Sequence, residues 1–392
     1  MISVFQAKAA ILKQVSSPNS VQLPLMQALG HVLASDVYAS VNIPAFKQSS
    51  MDGYAIKFDE RDRPLIVKGE MAAGTTENVV LSSGEAARIF TGAPLPLGAD
   101  TVVMQEKVLV QSGKIVINDT TLILGSNARN AGSEVEFGKL AIAKGTHLTP
   151  AALGFLAGIG ETKVAVYPMP KVSLILTGKE LQSPGNPLGP GQVYESNSFS
   201  LRGALTQAGI ENASIYMAED DLLKLKSVLS SALAISDIVI LSGGVSVGDY
   251  DFVVEAARLC DVTQVFHKVK QKPGKPLFFG VLGNKLIFGL PGNPSSVLSC
   301  FYQYVLPAIE AFSGRTSPDR LRSATLLQRY EKNTGLTHFV KALYKGGSVQ
   351  VLGAQESFRM SSFASANCMI CFDEERSLYK EGEIVNVYIL PL

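Results

Sequence analysis

Residues 237–252 read DIVILSGGVSVGDYDF. Residues 237–241 form a short apolar run rich in β-branched side chains, which predicts a buried strand. Ser242, Gly243, Gly244, Val245, Ser246, Val247 and Gly248 follow with little side-chain bulk, then Asp249, Tyr250 and Asp251, then a helical pattern, FVVEAARL. A buried strand that runs into a glycine loop and then a helix is how parallel α/β sheets hold phosphate. Backbone N–H groups face the anion, and the helix start adds partial positive charge. The loop lies past the carboxyl end of its strand, where open α/β sheets bind ligands. Two carboxylates beside such a loop point to a bridging hard cation, most simply Mg2+, with Asp249 the first choice and Asp251 equally readable as a helix cap.

The surroundings repeat the theme. Residues 171–315 alternate strand-like runs (VSLILT, ASIYM, DIVIL, VTQVFHKV, LFFG, KLIFG) with helical ones (SFSLRGALTQAG, DLLKLKSVLSSALA, FVVEAARL). That alternation predicts a mainly parallel sheet with helices on both faces. Asp220 or Asp221 caps the second of these helices. Lys272-Pro273-Gly274-Lys275-Pro276 carries two cations on a stiff turn, so both ammonium groups lose little freedom on meeting an anion. Pro291-Gly292-Asn293-Pro294-Ser295 lies between a strand and a helix; Asn293 suits the cap and Pro294 the first turn. The stretch 182–192, QSPGNPLGPGQ, reads as a mobile excursion beside the site.

Outside this region the chain is segmented. Residues 1–44 read as helical with a turn at 16–20, and 45–137 as a small β-rich domain. In 138–170, Thr149 caps and Pro150 starts a helix. Strand-like runs after 317 predict a small barrel or sandwich. With 392 residues, more than one domain is expected. Charged residues are 18% and nearly cancel to a formal +1, so no basic field for nucleic acid is visible. No apolar run reaches the roughly 20 residues of a membrane helix, and the N-terminus lacks the apolar core of a signal peptide. A cytoplasmic protein is expected. The four cysteines make no disulfide framework, and the single CxxC of Cys368 and Cys371 reads as core packing.

SGGVSVGDYD, KPGKP and GLPGNP, in this order, resemble the molybdopterin molybdenumtransferase family, the MoeA type whose eukaryotic relative is the gephyrin E region. Residues 50–55 (SMDGYA), 89–94 (IFTGAP), 98–100 (GAD) and 103–106 (VMQE) are similar to that family's N-terminal segments. Residues 176–181, LTGKEL, are close to its TGDEL, with Lys179 in place of the Asp. Lys179 reads either as an exposed loop lysine or as a contact to phosphate or molybdate. Residues 353–362 match the family's glycine- and serine-rich segment only loosely.

The resemblance implies a multidomain α/β chain. Its parts are a MogA-like parallel α/β domain (172–316), a small β-rich domain (45–137), a helical discontinuous linking and dimerisation domain (1–44 with 138–171) and a C-terminal β-barrel (317–392). It implies a homodimer that takes adenylylated molybdopterin and molybdate with Mg2+ and releases AMP. Contacts with the molybdopterin adenylyltransferase and with downstream delivery proteins for molybdoenzymes go with that role. Ser242, Gly243, Gly244, Ser246 and Gly248, with Pro291, Gly292, Asn293, Pro294 and Ser295, are the expected ligand-binding positions. Lys272 and Lys275 take phosphate or molybdate; Asp249, Asp251 and Glu180 hold the metal. By motif match Asp52, Thr91, Glu180 and Asp220 join the site, Asp52 and Thr91 from the partner subunit. On the residues alone, Asp52 and Thr91 are ordinary turn residues and Asp220 is equally a cap. Two other readings stand beside this one. The first is a single-domain relative that adenylylates molybdopterin, which would lack SMDGYA and TGAP. The second is a scaffold.

Overall fold

The structure, a computed structural model, describes residues 1–77, 79–244, 252–315 and 320–391. The chain divides into two compact units. One comprises Met1–Val21, Gly30–Ala34 and Val166–Leu392; the other comprises Gln22–Leu29 and Ser35–Ala165.

The first unit is built on a six-stranded sheet. Its order is Ser214–Ala218, Val172–Thr177, Ile238–Ser242, Lys285–Leu290, Phe278–Leu282 and Thr263–His267. The first four strands are parallel and only Phe278–Leu282 runs against them and against its other neighbour Thr263–His267, so the sheet is mainly parallel as its alternation with helices predicts. The apolar run 238–241 is continuous because both faces are covered. Ile238 and Ile240 join the core beneath the helices Val4–Gln14 and Asn197–Gln207, whereas Val239 and Leu241 join the core beneath Leu222–Ile235 and Phe252–Leu259. All four are fully buried, each contributing on the order of 2 kcal/mol. The strand after Val172–Thr177 lies on one side of it and Ile238–Ser242 on the other. The chain therefore reverses its order there, and a crevice opens between the carboxyl ends of these two strands.

A second sheet of this unit closes into a five-stranded barrel. Around the ring run Thr337–Lys345, Ser348–Val351, Leu321–Leu326, Ile384–Ile389 and Cys368–Phe372, which pairs back to Thr337–Lys345. The pattern after 317 left barrel or sandwich open; the closing ladder makes it a barrel, filled by Leu326, Val340, Ile370, Phe372 and Val387. Gln271–Lys272 adds to this sheet in parallel, Lys272 opposite His338, and so ties the cationic turn to the barrel.

The helical reading of 1–44 holds for Val4–Gln14, which a Ser3–Gln6 capping box starts, and for one short 3-10 turn, Leu25–Ala28. Val15, Ser16, Ser17 and Pro18 end the helix, and short strands at Val32–Leu33 and Val37–Tyr38 follow. In the second unit a six-stranded sheet carries Gly53–Ile56 between Thr101–Met104 and Glu85–Ile89. The helix Pro150–Gly158 begins as expected, with Thr149 Oγ1 accepting from Ala152 N at 3.2 Å. No described helix is long and apolar enough to cross a membrane.

Candidate functional site

The crevice at the carboxyl ends of the strands is a cavity of about 670 Å3. Thr177 and Gly178 line it from one strand, Ser242, Gly243 and Gly244 from the next, and Pro291, Gly292 and Asn293 from the third. Gly243 sits at φ 89°, with a Cβ position 2.5 Å from the Thr177 carbonyl oxygen, so no side chain fits there. Ser242 is buried, and its hydroxyl accepts from Asn197 Nδ2 at 2.9 Å and donates to the Pro291 carbonyl at 3.5 Å. Asn197 Nδ2 also donates to the Gly292 carbonyl at 2.9 Å, which fixes the orientation of the amide. One asparagine thus clamps the loops that follow two neighbouring strands.

This cavity is acidic. Glu180, Glu195 and Asp220 line it, and no lysine, arginine or histidine does so among the described residues. Asp221, not Asp220, caps the helix Leu222–Ile235, accepting from Lys224 N at 2.9 Å. Asp220 is left for the cavity, held by a long 3.4 Å bond from Lys179 N. The Lys179 side chain belongs to a separate depression with Met217 and Glu219. Glu180 and Asp220 offer hard oxygen donors away from any lining cation, a set that suits Mg2+. No cluster of three metal-ligating side chains occurs among the described residues. Ser246, Gly248, Asp249 and Asp251, expected here, lie outside the described residues. The 182–192 excursion is tied at its ends, where Leu181–Gln182 pairs with Val193–Tyr194, and inside, where Tyr194 Oη donates to Asn186 O at 2.9 Å.

A second cavity, of about 780 Å3, adjoins the first and shares Pro276, Pro291 and Asn293 with it. Lys272 and Lys275 line it, facing Tyr330 and His338 of the barrel side and Gln355, Glu356 and Ser357 of the loop beyond. The turn is anchored from below. Gly274 lies at φ 83°, with a Cβ position only 2.5 Å from Cys300 Sγ. Gln271 Nε2 donates to the Gly274 carbonyl at 2.9 Å, and Gln271 Oε1 accepts from the hydroxyl of Tyr304. Gln271 and Tyr304 are both about fully buried, so this polar pair is sealed from water. Burial pushes the Cys300 thiol up to about 12, so it stays protonated and inert.

Two expectations on 291–295 change. Asn293 occupies the cap position of Pro294–Cys300 but makes no capping bond; its Nδ2 donates instead to Ser357 Oγ at 2.9 Å. Ser295 is fully buried, lines neither cavity, and accepts from Lys341 Nζ at 3.0 Å. Lys341, 2% exposed, also donates to the carbonyls of Ala354 at 2.9 Å and Arg359 at 3.0 Å. Burial pushes its ammonium down to about 8. It fastens the loosely matching 353–362 segment against the helix, so Ala354, Gln355, Glu356 and Ser357 wall the second cavity. Sequence reading missed Lys341, Asn197 and Gln271. A polar residue inside an apolar strand pattern, as in HFVKALY, was the one available signal.

In the second unit, Asp52 and Thr91 meet although 39 positions apart. Asp52 Oδ1 accepts from Thr91 N at 2.8 Å and from Thr91 Oγ1 at 2.7 Å. The backbone bond first, then the hydroxyl bond, holds the Asp52 carboxyl below its usual range, so it is an exposed, fixed anion.

Comparison with known proteins agrees with this arrangement along the chain. The MoeA N-terminal region (domains I and II) matches residues 2–160, a probable molybdopterin binding domain residues 173–311, and the MoeA C-terminal region (domain IV) residues 323–390. The molybdopterin molybdenumtransferase of Haemophilus influenzae is 35% identical over 400 residues, covering 99% of this chain and 98% of the relative. Molybdopterin molybdenumtransferase 2 of Mycobacterium tuberculosis is 33% identical, covering 96% of each. The crystal structure of a molybdopterin biosynthesis MoeA protein from Pyrococcus horikoshii superposes with a TM-score of 0.85 at 29% identity, covering 99% of both chains. The chain belongs to the MoeA family of molybdopterin molybdenumtransferases, and as such is an enzyme, a transferase.

Proposed function

We propose that this chain transfers molybdenum to molybdopterin in the biosynthesis of the molybdenum cofactor. Its substrates are adenylylated molybdopterin and molybdate, and AMP is released. The observation that carries the reading is the pair of adjoining cavities of opposite character, one lined by Glu180, Glu195 and Asp220, the other by Lys272 and Lys275. Molybdate is a dianion and needs the cationic cavity. The glycine-lined crevice at the strand ends takes the phosphate bridge of the nucleotide-like substrate, with the N–H of Gly244 as a donor, since that of Gly243 is given to the Leu290 carbonyl.

Breaking the phosphoanhydride puts negative charge on phosphate oxygens, and charge stabilisation there is the main catalytic demand. Glu180 and Asp220, with Asp249 and Asp251, would hold Mg2+, which supplies such charge when bound. Lys272 and Lys275 orient the oxoanion toward the pterin sulfurs, on a turn that Gln271 and Tyr304 keep rigid. The protein works in the cytoplasm as a homodimer, in which the Asp52–Thr91 pair of a second copy faces the pterin site. It takes substrate from the adenylyltransferase and passes product to delivery proteins.

A single-turnover assay tests this reading, with purified protein, adenylylated molybdopterin, Mg2+ and molybdate. AMP and metal-loaded pterin are expected to appear together and only with molybdate. Tight pterin binding without AMP release, for molybdate and tungstate alike, would overturn it.

A further inference from the structure

We propose that His338 is a third hydrogen-bond donor, beside Lys272 and Lys275, to the tetrahedral oxoanion in the cationic cavity; this rests on the reading of that cavity as the molybdate site. His338 is the register partner of Lys272 in the parallel ladder that joins the turn to the barrel, so the two side chains leave neighbouring backbone positions. Both line the same cavity. His338 is 9% exposed and sits in the nine-residue strand Thr337–Lys345, which fixes its backbone.

The ring is oriented from one side. Its Nδ1 lies 3.3 Å from the Tyr330 hydroxyl, and Tyr330 is itself stacked on Phe372 with centroids 4.3 Å apart and planes 8° from parallel. Burial raises the Tyr330 phenol, so it keeps its proton. When the phenol donates to Nδ1, the imidazole proton belongs on Nε2, which has no partner among the described residues. Burial first, then the charges of Lys332 and Lys272, push the imidazole down to about 4, so the ring is neutral near pH 7. A neutral N–H adds a directed bond to an acceptor-only anion without repelling the two lysines. It also offsets Glu356, whose position on the wall of the same cavity works against an anion.

The test is side-chain 15N NMR on protein labelled at histidine, with molybdate titrated in and the His338 signals identified by their loss in His338→Gln. The expected result is an Nε2–H tautomer whose Nε2 signal shifts as molybdate binds. His338→Gln, whose carboxamide keeps a donor near Nε2, should hold molybdate within about threefold of wild type, and His338→Phe should weaken it by about tenfold or more. The tautomer is read on the wild-type protein, so it stands even if the Phe variant folds poorly. Molybdate binding with an Nδ1–H ring and no shift, or equal affinity in His338→Phe, would overturn the proposal and leave the functional reading intact. No molybdate binding or molybdate-dependent turnover by wild-type protein would sink the reading of the cavity, and the proposal with it.

Discussion

The two cavities share Pro276, Pro291 and Asn293, yet their chemistry is opposite. The one at the strand ends is lined by three carboxylates and no cation among the described residues, and the one against the barrel by two lysines, a neutral histidine and one carboxylate, Glu356. Their construction differs as well. The acidic cavity is made by loops that leave parallel strands, so its backbone N–H groups and carboxylates are set by sheet topology. The cationic cavity is made by a turn braced on the buried pair Gln271 and Tyr304, facing a loop that the buried Lys341 fastens. Each half of the proposed site can therefore be damaged separately.

The largest expected effect is on the cationic side. Lys275→Ala should lower molybdate-dependent turnover by about a hundredfold or more while pterin affinity stays near wild type, because one charged donor of a preorganised set is lost. Steady-state kinetics over a molybdate series checks this; equal losses in pterin binding would mean that the two cavities are not separable. Lys341→Met comes next. It takes the ammonium donor from the buried Ser295 hydroxyl and from the Arg359 carbonyl, while the Ala354 carbonyl keeps the Ser362 hydroxyl, and should cost about 2 kcal/mol in urea unfolding. Its molybdate dependence should suffer more than its metal dependence, since the wall it fastens belongs to the cationic cavity.

On the acidic side, Lys179→Asp adds a carboxylate beside Asp220 and should tighten Mg2+ about tenfold, read as the metal concentration for half-maximal AMP release. No change would place that position outside the metal's reach. Tyr304→Phe should raise the KM for molybdate with little change in kcat, and lower stability by about 1 kcal/mol, because Gln271 Oε1 loses its donor. A pure loss of stability with unchanged KM would reduce the buried pair to packing.

The last effect is in pH and leaves turnover near neutrality untouched. His338 is held to about 4 in the folded chain, against about 6.5 when unfolded. As pH falls through this window the unfolded chain takes the proton first, so wild type loses stability that His338→Gln keeps. Thermal midpoints at pH 7 and pH 5 should therefore move in favour of the variant by the equivalent of about 1–2 kcal/mol. Parallel shifts in both proteins would mean that the imidazole is not held neutral.

How much of this was legible depended on whether a signal was local. The run 238–241 announces its strand because both its faces are apolar, and Thr149-Pro150 announces a helix start because cap and first turn are adjacent. Asp52 and Thr91 could be named from their motifs, but their contact joins the ends of two paired strands far apart in sequence and has no local trace. Asp220 and Asp221 are each good caps, and only the fold assigns the duty to Asp221. Residues 15–44 misled because scattered apolar positions fit a helix as well as the short strands that form there. Apart from the local bond of Gln271 to Gly274, the bonds described for Lys341, Asn197 and Gln271 reach partners 13 to 95 residues away, beyond any spacing rule.

The shared wall has a thermodynamic consequence. If filling one cavity moves Pro291 or Asn293, the other ligand's affinity changes by some factor. Linkage requires that factor to be the same whichever ligand is added first. Asn197, which holds Gly292, and Ser357, which accepts from Asn293, are the two grips on that wall, one on each side. A substitution that loosens either grip is therefore read in how each ligand alters the other's affinity, and not only in the affinity for one ligand alone.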